Sequence, residues 1–102
     1  MNTDNELKQL LAKMLPETFF IGFSGLLWTK DGKPVLDTEL LHLCSLVEAG
    51  LTEADLCWYY NDALFRVVCG HPENSLALDF AKVCSANWQQ RTTALAATKG
   101  VL

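Results

Sequence analysis

The 102-residue sequence contains no apolar run long enough to cross a bilayer. The longest apolar run in the sequence extends from Phe19 to Trp28 and includes Ser24 and two glycines. The first six residues are polar and acidic, so they do not resemble the basic segment and apolar core of a secretion signal. We therefore predict a cytoplasmic protein that does not insert into a membrane.

The sequence also lacks a cluster of basic side chains. Its eight lysines and arginines are scattered singly, and twelve acidic residues bring the net charge to −4. A protein that binds nucleic acid neutralises a row of phosphates with neighbouring cations. We therefore predict that neither nucleic acid nor an anionic membrane is a direct partner.

The cysteines do not have the spacing of a zinc site. They stand at positions 44, 57, 69 and 84, whereas zinc ligands come in pairs two to four residues apart. All four lie in apolar stretches, which predicts reduced cysteines packed in the core of a cytosolic protein. We predict no metal ion and no cofactor. The one close pair of ligand types is Cys69 and His71, and a small enzyme or metal binder near it is a further alternative.

Recognised catalytic motifs are missing as well. The sequence has no Gly-rich phosphate loop, no Gly-x-Ser-x-Gly and no His-Glu-x-x-His. Acidic residues such as Glu48, Asp55 and Asp62 have the spacing of solvated helix faces. The prediction is therefore a protein without catalytic residues.

What the sequence does have is apolar residues, which make up half of it, with a tenth aromatic. This composition excludes disorder, and the length fits one globular domain over residues 1–102. Small domains have a high ratio of surface to volume. Some apolar surface is therefore expected to be exposed, or covered by a partner or a second copy.

The segment Glu53–Cys69 has the highest apolar content, with twelve apolar or aromatic residues among seventeen. A helix that is apolar nearly all round must be covered on most sides. We predict that 53–69 is the central helix of a mostly α, single-domain bundle of about four helices. Thr52 and Asp55 resemble a capping box at its start, and Gly70 ends it.

Two flanking helices are predicted from apolar residues at helical spacing. The first runs from Asp4 to Leu15 behind a Thr3–Glu6 capping box. Its stripe is Leu7, Leu10, Leu11 and Met14. The other begins at Asp37 or Thr38 and ends at Gly50. Its stripe is Leu40, Leu43, Cys44 and Val47, widened by Leu41 and Leu46.

The last predicted helix runs without a break from a cap at Asn74 or Ser75 to Lys99. Its apolar stripe is Leu76, Ala77, Phe80, Ala81, Cys84, Trp88, Arg91 and Leu95. The residues expected to face away are Asp79, Lys82, Gln89, Gln90 and Thr93. Arg91 on the stripe indicates a structural ion pair or an interface contact.

Residues 17–36 form a less regular insert. The Lys30–Lys33 turn, with Gly32 able to take a positive φ, favours a short hairpin of residues 26–29 and 34–36. The alternative is a short helix from Pro16 to about Ile21, followed by an irregular loop.

Tryptophan and tyrosine are the residues most able to anchor a partner. We assign Trp58 and Trp88 to the core, because both lie on apolar helical stretches. A glycine-containing aromatic segment beside a polar turn is the better candidate for an exposed patch. The predicted partner-binding residues are Phe19, Phe20, Phe23, Leu27 and Trp28.

The functional hypothesis is a small accessory or adaptor-like protein that binds another protein, or itself as a homodimer. The alternative is a DNA-associated regulator with a helix-turn-helix-like pair at 38–69. Glu53 and Asp55 argue against it, because they would meet phosphates at the start of the second helix.

Three stretches carry a resemblance: Val35-Leu-Asp-Thr-Glu-Leu-Leu-His-Leu-Cys44, Asn87-Trp-Gln-Gln-Arg91 and Lys99-Gly-Val-Leu102. Over about a third of its length, the chain resembles small uncharacterised proteins of enteric bacteriophages and prophages. This resemblance implies a bacterial cytoplasm, a single domain and an accessory role. It brings no catalytic or binding residue with it.

Overall fold

The fold is mostly helical, as a computed structural model of the chain shows. The structure describes residues 3–22, 27–72 and 76–101, apart from the side chain of Cys57. The first helix, α1, spans Asp4–Met14, and the Oγ1 atom of Thr3 accepts a hydrogen bond from the amide of Glu6. The predicted stripe of α1 is confirmed, because all four of its residues are buried.

A two-stranded antiparallel sheet follows α1, so the insert does contain a hairpin. Strand β1 is Phe19–Ile21 and strand β2 is Leu27–Thr29, with Phe20 opposite Trp28. The predicted partner of β2, residues 34–36, contributes only an isolated bridge between Trp28 and Pro34. The Lys30–Lys33 turn is present, and Gly32 has the expected positive φ of 88°. The predicted pairing of 26–29 with 34–36 is therefore present in part, with the amide of Val35 donating to the carbonyl of Leu27, whereas the main partner of β2 is β1.

Helix α2 spans Leu40–Ala49 behind a single 3₁₀ turn at Asp37–Glu39. Its predicted core residues, Leu40, Leu43, Cys44 and Val47, are all buried. Leu41 and Leu46 are exposed, so the apolar face is narrower than predicted. Both lie beside the line of residues that faces the core, and each is less than half exposed.

The segment predicted as the central helix is helical, but it contains a π-helix followed by an α-helix. Residues Asp55–Tyr60 form a π-helix, and helix α3 continues over Asn61–Cys69. The amide of Asn61 bonds the carbonyl of Leu56, five residues back. The wider turn of a π-helix rotates the following residues relative to the preceding ones. This rotation explains why apolar residues occur at more than one phase in the sequence.

The predicted last helix is two helices. Helix α4 spans Ala77–Cys84, helix α5 spans Trp88–Lys99, and Asn87 caps α5. The Asn87 side chain accepts from the Gln90 amide, and the Gln90 side chain accepts from the Asn87 amide, which completes a capping box. The predicted caps Asn74 and Ser75 lie outside the described residues.

The break rotates α4 relative to the predicted stripe. Asp79, expected to face solvent, is buried, and so is Val83. Leu76, Phe80 and Cys84, expected in the core, are exposed to different degrees. The edge of the Phe80 ring still packs on Phe65, with centroids 5.3 Å apart.

The central helix of the bundle is α5, not 53–69. Helix α5 contacts α1, α2, α3 and the π-helical segment. Its Thr92, Ala94, Leu95 and Ala96 are fully buried, and these mostly small side chains let the neighbouring backbones approach closely. The 53–69 segment is covered on one side only, because the π-helix leaves Trp58 and Tyr59 on the surface. In the described part of the chain, no helix has the length and apolar character needed to cross a membrane.

Candidate functional sites

The predicted aromatic patch is only partly on the surface. Phe19 and Leu27 point inward from the two strands and belong to the core, so they cannot form part of an exposed surface. Phe20 is exposed, Trp28 is half-buried, and Phe23 lies outside the described residues. The cause is the alternation of side chains along a strand, which sends every second residue to the core.

Trp28 is held in place by the chain opposite it. A β-carbon at Gly22 would lie 2.7 Å from the indole Nε1 of Trp28, so the ring lies directly against the glycine backbone. Lys30 places its ammonium group 5.8 Å from the centre of the Phe20 ring. These contacts cover part of both aromatic side chains and reduce the surface they offer to a partner.

The most exposed aromatic residues lie instead on the π-helical segment. Trp58 is 74% exposed and Tyr59 is 64% exposed, while the next residue, Tyr60, is buried. Leu56 on the same π-helix is also exposed. The sequence placed Trp58 in the core because 53–69 is apolar nearly all round and was expected to be covered on most sides. The structure covers this segment on one side only, so that prediction is wrong for Trp58.

A second candidate site lies where α3 ends and α4 begins. The Sγ of Cys69, a ring nitrogen of His71 and a carboxylate oxygen of Asp79 all lie within 4.8 Å of one another. Within the described residues, this is the one such group of three potential metal ligands. Asp79 is only 7% exposed, and Cys69 and His71 are half-buried.

Backbone geometry brings these three residues together. Cys69 is the last residue of α3, and Gly70 follows in the left-handed conformation with φ of 78°. This conformation reverses the chain, so His71 returns towards the helix end. Asp79 comes from the first turn of α4, which packs on α3. The sequence indicated the Cys69–His71 pair, whereas Asp79 was missed because the last helix was predicted as one piece.

The hydrogen bonds of His71 define its orientation. Its Nε2 lies 3.2 Å from Oδ2 of Asp79, and its Nδ1 lies 2.9 Å from the carbonyl oxygen of Pro72. Because a carbonyl oxygen only accepts, Nδ1 must carry the proton of that bond. Nε2 is therefore the atom that the ring presents to Asp79.

A second group of polar side chains joins α2, α5 and the π-helix, and its role is structural. Arg91 Nη1 donates to Glu48 Oε1 at 3.2 Å, and the hydroxyl of Tyr60 donates to the same oxygen at 3.1 Å. The structure thus bears out the ion pair predicted for Arg91. Nearby, the Cys44 thiol lies 3.3 Å from Thr92 Oγ1, and burial raises the pKa of that thiol.

The three described thiols differ in environment. Cys44 is buried as predicted, Cys69 is half-buried, and Cys84 is exposed. The prediction that all cysteines are core residues is therefore wrong for Cys84, because α4 is rotated relative to the predicted stripe. The side chain of Cys57 lies outside the described part of the structure.

The helical pair behind the DNA-binding alternative exists as α2 and the 53–69 segment. Exposed Glu53 begins the second helix, and half-buried Asp55 follows in its first turn. Neither position offers a cation to a phosphate. The geometry therefore gives this alternative no added support.

Comparison of the chain with protein-family models, with curated proteins and with solved structures found no match. The features of the chain that bear on function are therefore its two candidate sites, Trp58–Tyr59 and Cys69–His71–Asp79.

Proposed function

We propose that this protein is a small interaction protein without catalytic activity, acting in the cytoplasm. It binds another protein, or a second copy of itself, through the aromatic pair Trp58–Tyr59. The observation that carries the proposal is the exposure of two adjacent large aromatic side chains, 74% and 64%, on a helical segment.

Aromatic residues of this kind provide much of the binding energy of protein interfaces. Each buries a large apolar area with few rotatable bonds, and each carries one polar group that can bond a partner. Truncation of such a hot-spot residue costs about 2 kcal/mol or more, which corresponds to roughly a 30-fold weaker Kd. The pair can therefore carry most of the affinity of a modest interface.

The surroundings of the pair favour a partner with an apolar pocket and a basic rim. Leu56 is a third exposed apolar residue of the π-helix, whereas Glu53 and Asp55 lie at the beginning of the same helical segment. Complementary charges at the rim of an interface mainly raise the association rate and select the partner. A basic rim would also complement the net charge of −4.

The π-helix itself supports a functional role for this segment. Short π-helical stretches within α-helices are rare and occur frequently at functional sites. Here exposed Trp58 and Tyr59 and buried Tyr60 are consecutive residues of the π-helix. One short segment thus contributes Tyr60 to the core and the aromatic pair to the surface.

The test compares the wild-type chain with the double variant Trp58→Ser/Tyr59→Ser. A matched control, Leu41→Ser/Leu46→Ser, removes two exposed apolar side chains from α2. Light scattering after gel filtration measures self-association, and affinity capture from the host cytosol measures binding to other proteins.

We expect a dimer or a captured partner with the wild type and the control, and its loss with the aromatic double variant. A chain that stays monomeric and captures nothing contradicts the proposal. So does binding that survives loss of both aromatic residues.

A further inference from the structure

We propose that Cys69, His71 and Asp79 form a binding site for a divalent zinc ion at the junction of α3 and α4. This site is separate from Trp58–Tyr59 and does not depend on the interaction function. Its ligands would be the thiolate of Cys69, Nε2 of His71 and a carboxylate oxygen of Asp79.

The distance between two of these atoms already fits a shared metal ion. Zinc binds histidine nitrogen and carboxylate oxygen at about 2.0–2.2 Å with tetrahedral angles, which places the two ligand atoms roughly 3.3 Å apart. His71 Nε2 and Asp79 Oδ2 are 3.2 Å apart. Cys69 Sγ lies within 4.8 Å of both partners, so a small side-chain rotation brings it into the coordination sphere.

The orientation of the imidazole is that of a metal ligand. His71 Nδ1 donates to the carbonyl of Pro72, and zinc-bound histidines almost always donate their second ring nitrogen to a carbonyl or carboxylate. With Nδ1 bonded to Pro72, Nε2 is the ring atom that lies 3.2 Å from Oδ2 of Asp79. Both atoms therefore face one point, which a cation or a proton can occupy.

The types of ligand select the metal. A thiolate disfavours magnesium and calcium, which prefer oxygen ligands, whereas thiolate, imidazole and carboxylate are the three donor types of zinc sites. Three protein ligands with a fourth position for water or another molecule are typical of zinc sites that bind or activate a ligand.

The competing explanation places a proton, not a metal ion, between the two groups. His71 and Asp79 would then form a structural ion pair that ties the end of α3 to α4, with Cys69 merely adjacent. The two explanations differ in one requirement: only the metal site needs the thiol of Cys69. The experiment is therefore built around that residue.

The experiment titrates the full-length reduced chain with Co²⁺ and then displaces the cobalt with Zn²⁺. We expect one equivalent of Co²⁺ to produce the charge-transfer absorption of a thiolate–cobalt bond, and Zn²⁺ to remove it. Cys69→Ser should abolish this absorption, and His71→Gln should weaken binding by more than the roughly 10–100-fold that loss of an outer-shell partner costs.

Matched controls carry the same substitutions outside the site. Cys84→Ser changes an exposed thiol of α4, and His42→Gln changes an exposed histidine of α2. Both variants should bind cobalt as the wild type does. Absence of the charge-transfer band, or a band unchanged in Cys69→Ser, overturns the proposal.

A second measurement needs no variant and covers the case in which a substitution prevents folding. Iodoacetamide labelling of the wild-type chain, followed by peptide mass spectrometry, is compared with and without Zn²⁺. We expect zinc to protect Cys69 and to leave the labelling of Cys84 unchanged. Equal labelling of Cys69 in both conditions contradicts the site.

Discussion

Arg91 donates from Nη1 to Oε1 of Glu48 over 3.2 Å and thereby joins α5 to α2. The same guanidinium donates from Nε to the carbonyl of Ala86 at 3.0 Å and from Nη2 to that of Cys84 at 3.3 Å. One side chain therefore binds the end of α4, the break before α5 and the neighbouring helix α2.

Substitution of Arg91 by alanine should consequently destabilise the fold. Loss of hydrogen bonds to a partly buried charged group costs about 2–3 kcal/mol, and Glu48 would be left without its cation. The control is Arg66→Ala, which removes an exposed i,i+4 pair with Asp62 and should cost about 0.5 kcal/mol or less. Urea unfolding followed by circular dichroism measures both changes, and equal losses would contradict the role of Arg91.

Tyr60 should make the protein less stable at alkaline pH. Burial, followed by the negative charge of Glu48, raises the pKa of Tyr60 above its ordinary value of 10.0. The unfolded chain therefore loses the phenol proton first, while the folded chain retains it. The stabilisation is complete below pH 10 and falls by up to about 1.4 kcal/mol for each pH unit above it.

Tyr60→Phe isolates this effect from the ionisation of lysines and cysteines. We expect the variant to be about 1 kcal/mol less stable at pH 7, because the bond to Glu48 is lost, and to decline less steeply above pH 10. The free energy of unfolding is measured between pH 7 and 11 for the wild type, Tyr60→Phe and the exposed control Tyr59→Phe. Parallel profiles for all three would show that the Tyr60 phenol is not protected by the fold.

The thiols should react in the order of their exposure. The Cys44 thiol is buried and within hydrogen-bonding distance of Thr92, and its raised pKa disfavours the reactive thiolate. Cys84 is exposed on α4. We expect iodoacetamide to label Cys84 in the native protein and Cys44 only after unfolding. Labelling of both at the same rate under native conditions would contradict the packing of α2 on α5.

The central position of α5 predicts a sharp difference between two leucines. Leu95 is fully buried in α5, and its truncation to alanine should cost about 2–5 kcal/mol. Leu78 on α4 is exposed, and Leu78→Ala should change stability by about 0.5 kcal/mol or less. Thermal unfolding distinguishes the two variants, and a large loss at Leu78 would mean that α4 is oriented differently.

The regular helices could be predicted from the sequence because their apolar stripes keep one phase. The four stripe residues of α1 and the four of α2 are buried as expected. The 53–69 segment could not be placed correctly, since a π-helix changes the phase at Asp55–Tyr60 and no turn residue marks it. Burial of Trp58 was predicted from the high apolar content of this segment, which does not show which of its sides faces solvent.

Of the Cys69–His71–Asp79 site, the sequence indicated Cys69 and His71 but not Asp79. Gly70 between Cys69 and His71 marks the pair, but the third member depends on how α4 is rotated. Recognition of Asn87 and Gln90 as a capping box would have divided the last helix and placed Asp79 at the start of α4. The apolar stripe continues across the break between α4 and α5, so the sequence favoured one continuous helix.

The exposure of Trp58 is the feature on which the interaction function depends most directly. Iodide quenching of tryptophan fluorescence measures it in the isolated protein, with Trp58→Phe and Trp28→Phe compared with the wild type. Trp58→Phe is predicted to remove most of the iodide-accessible emission, whereas Trp28→Phe leaves it largely in place. Quenching that is unchanged in Trp58→Phe would contradict the account, because it would place this side chain inside the protein.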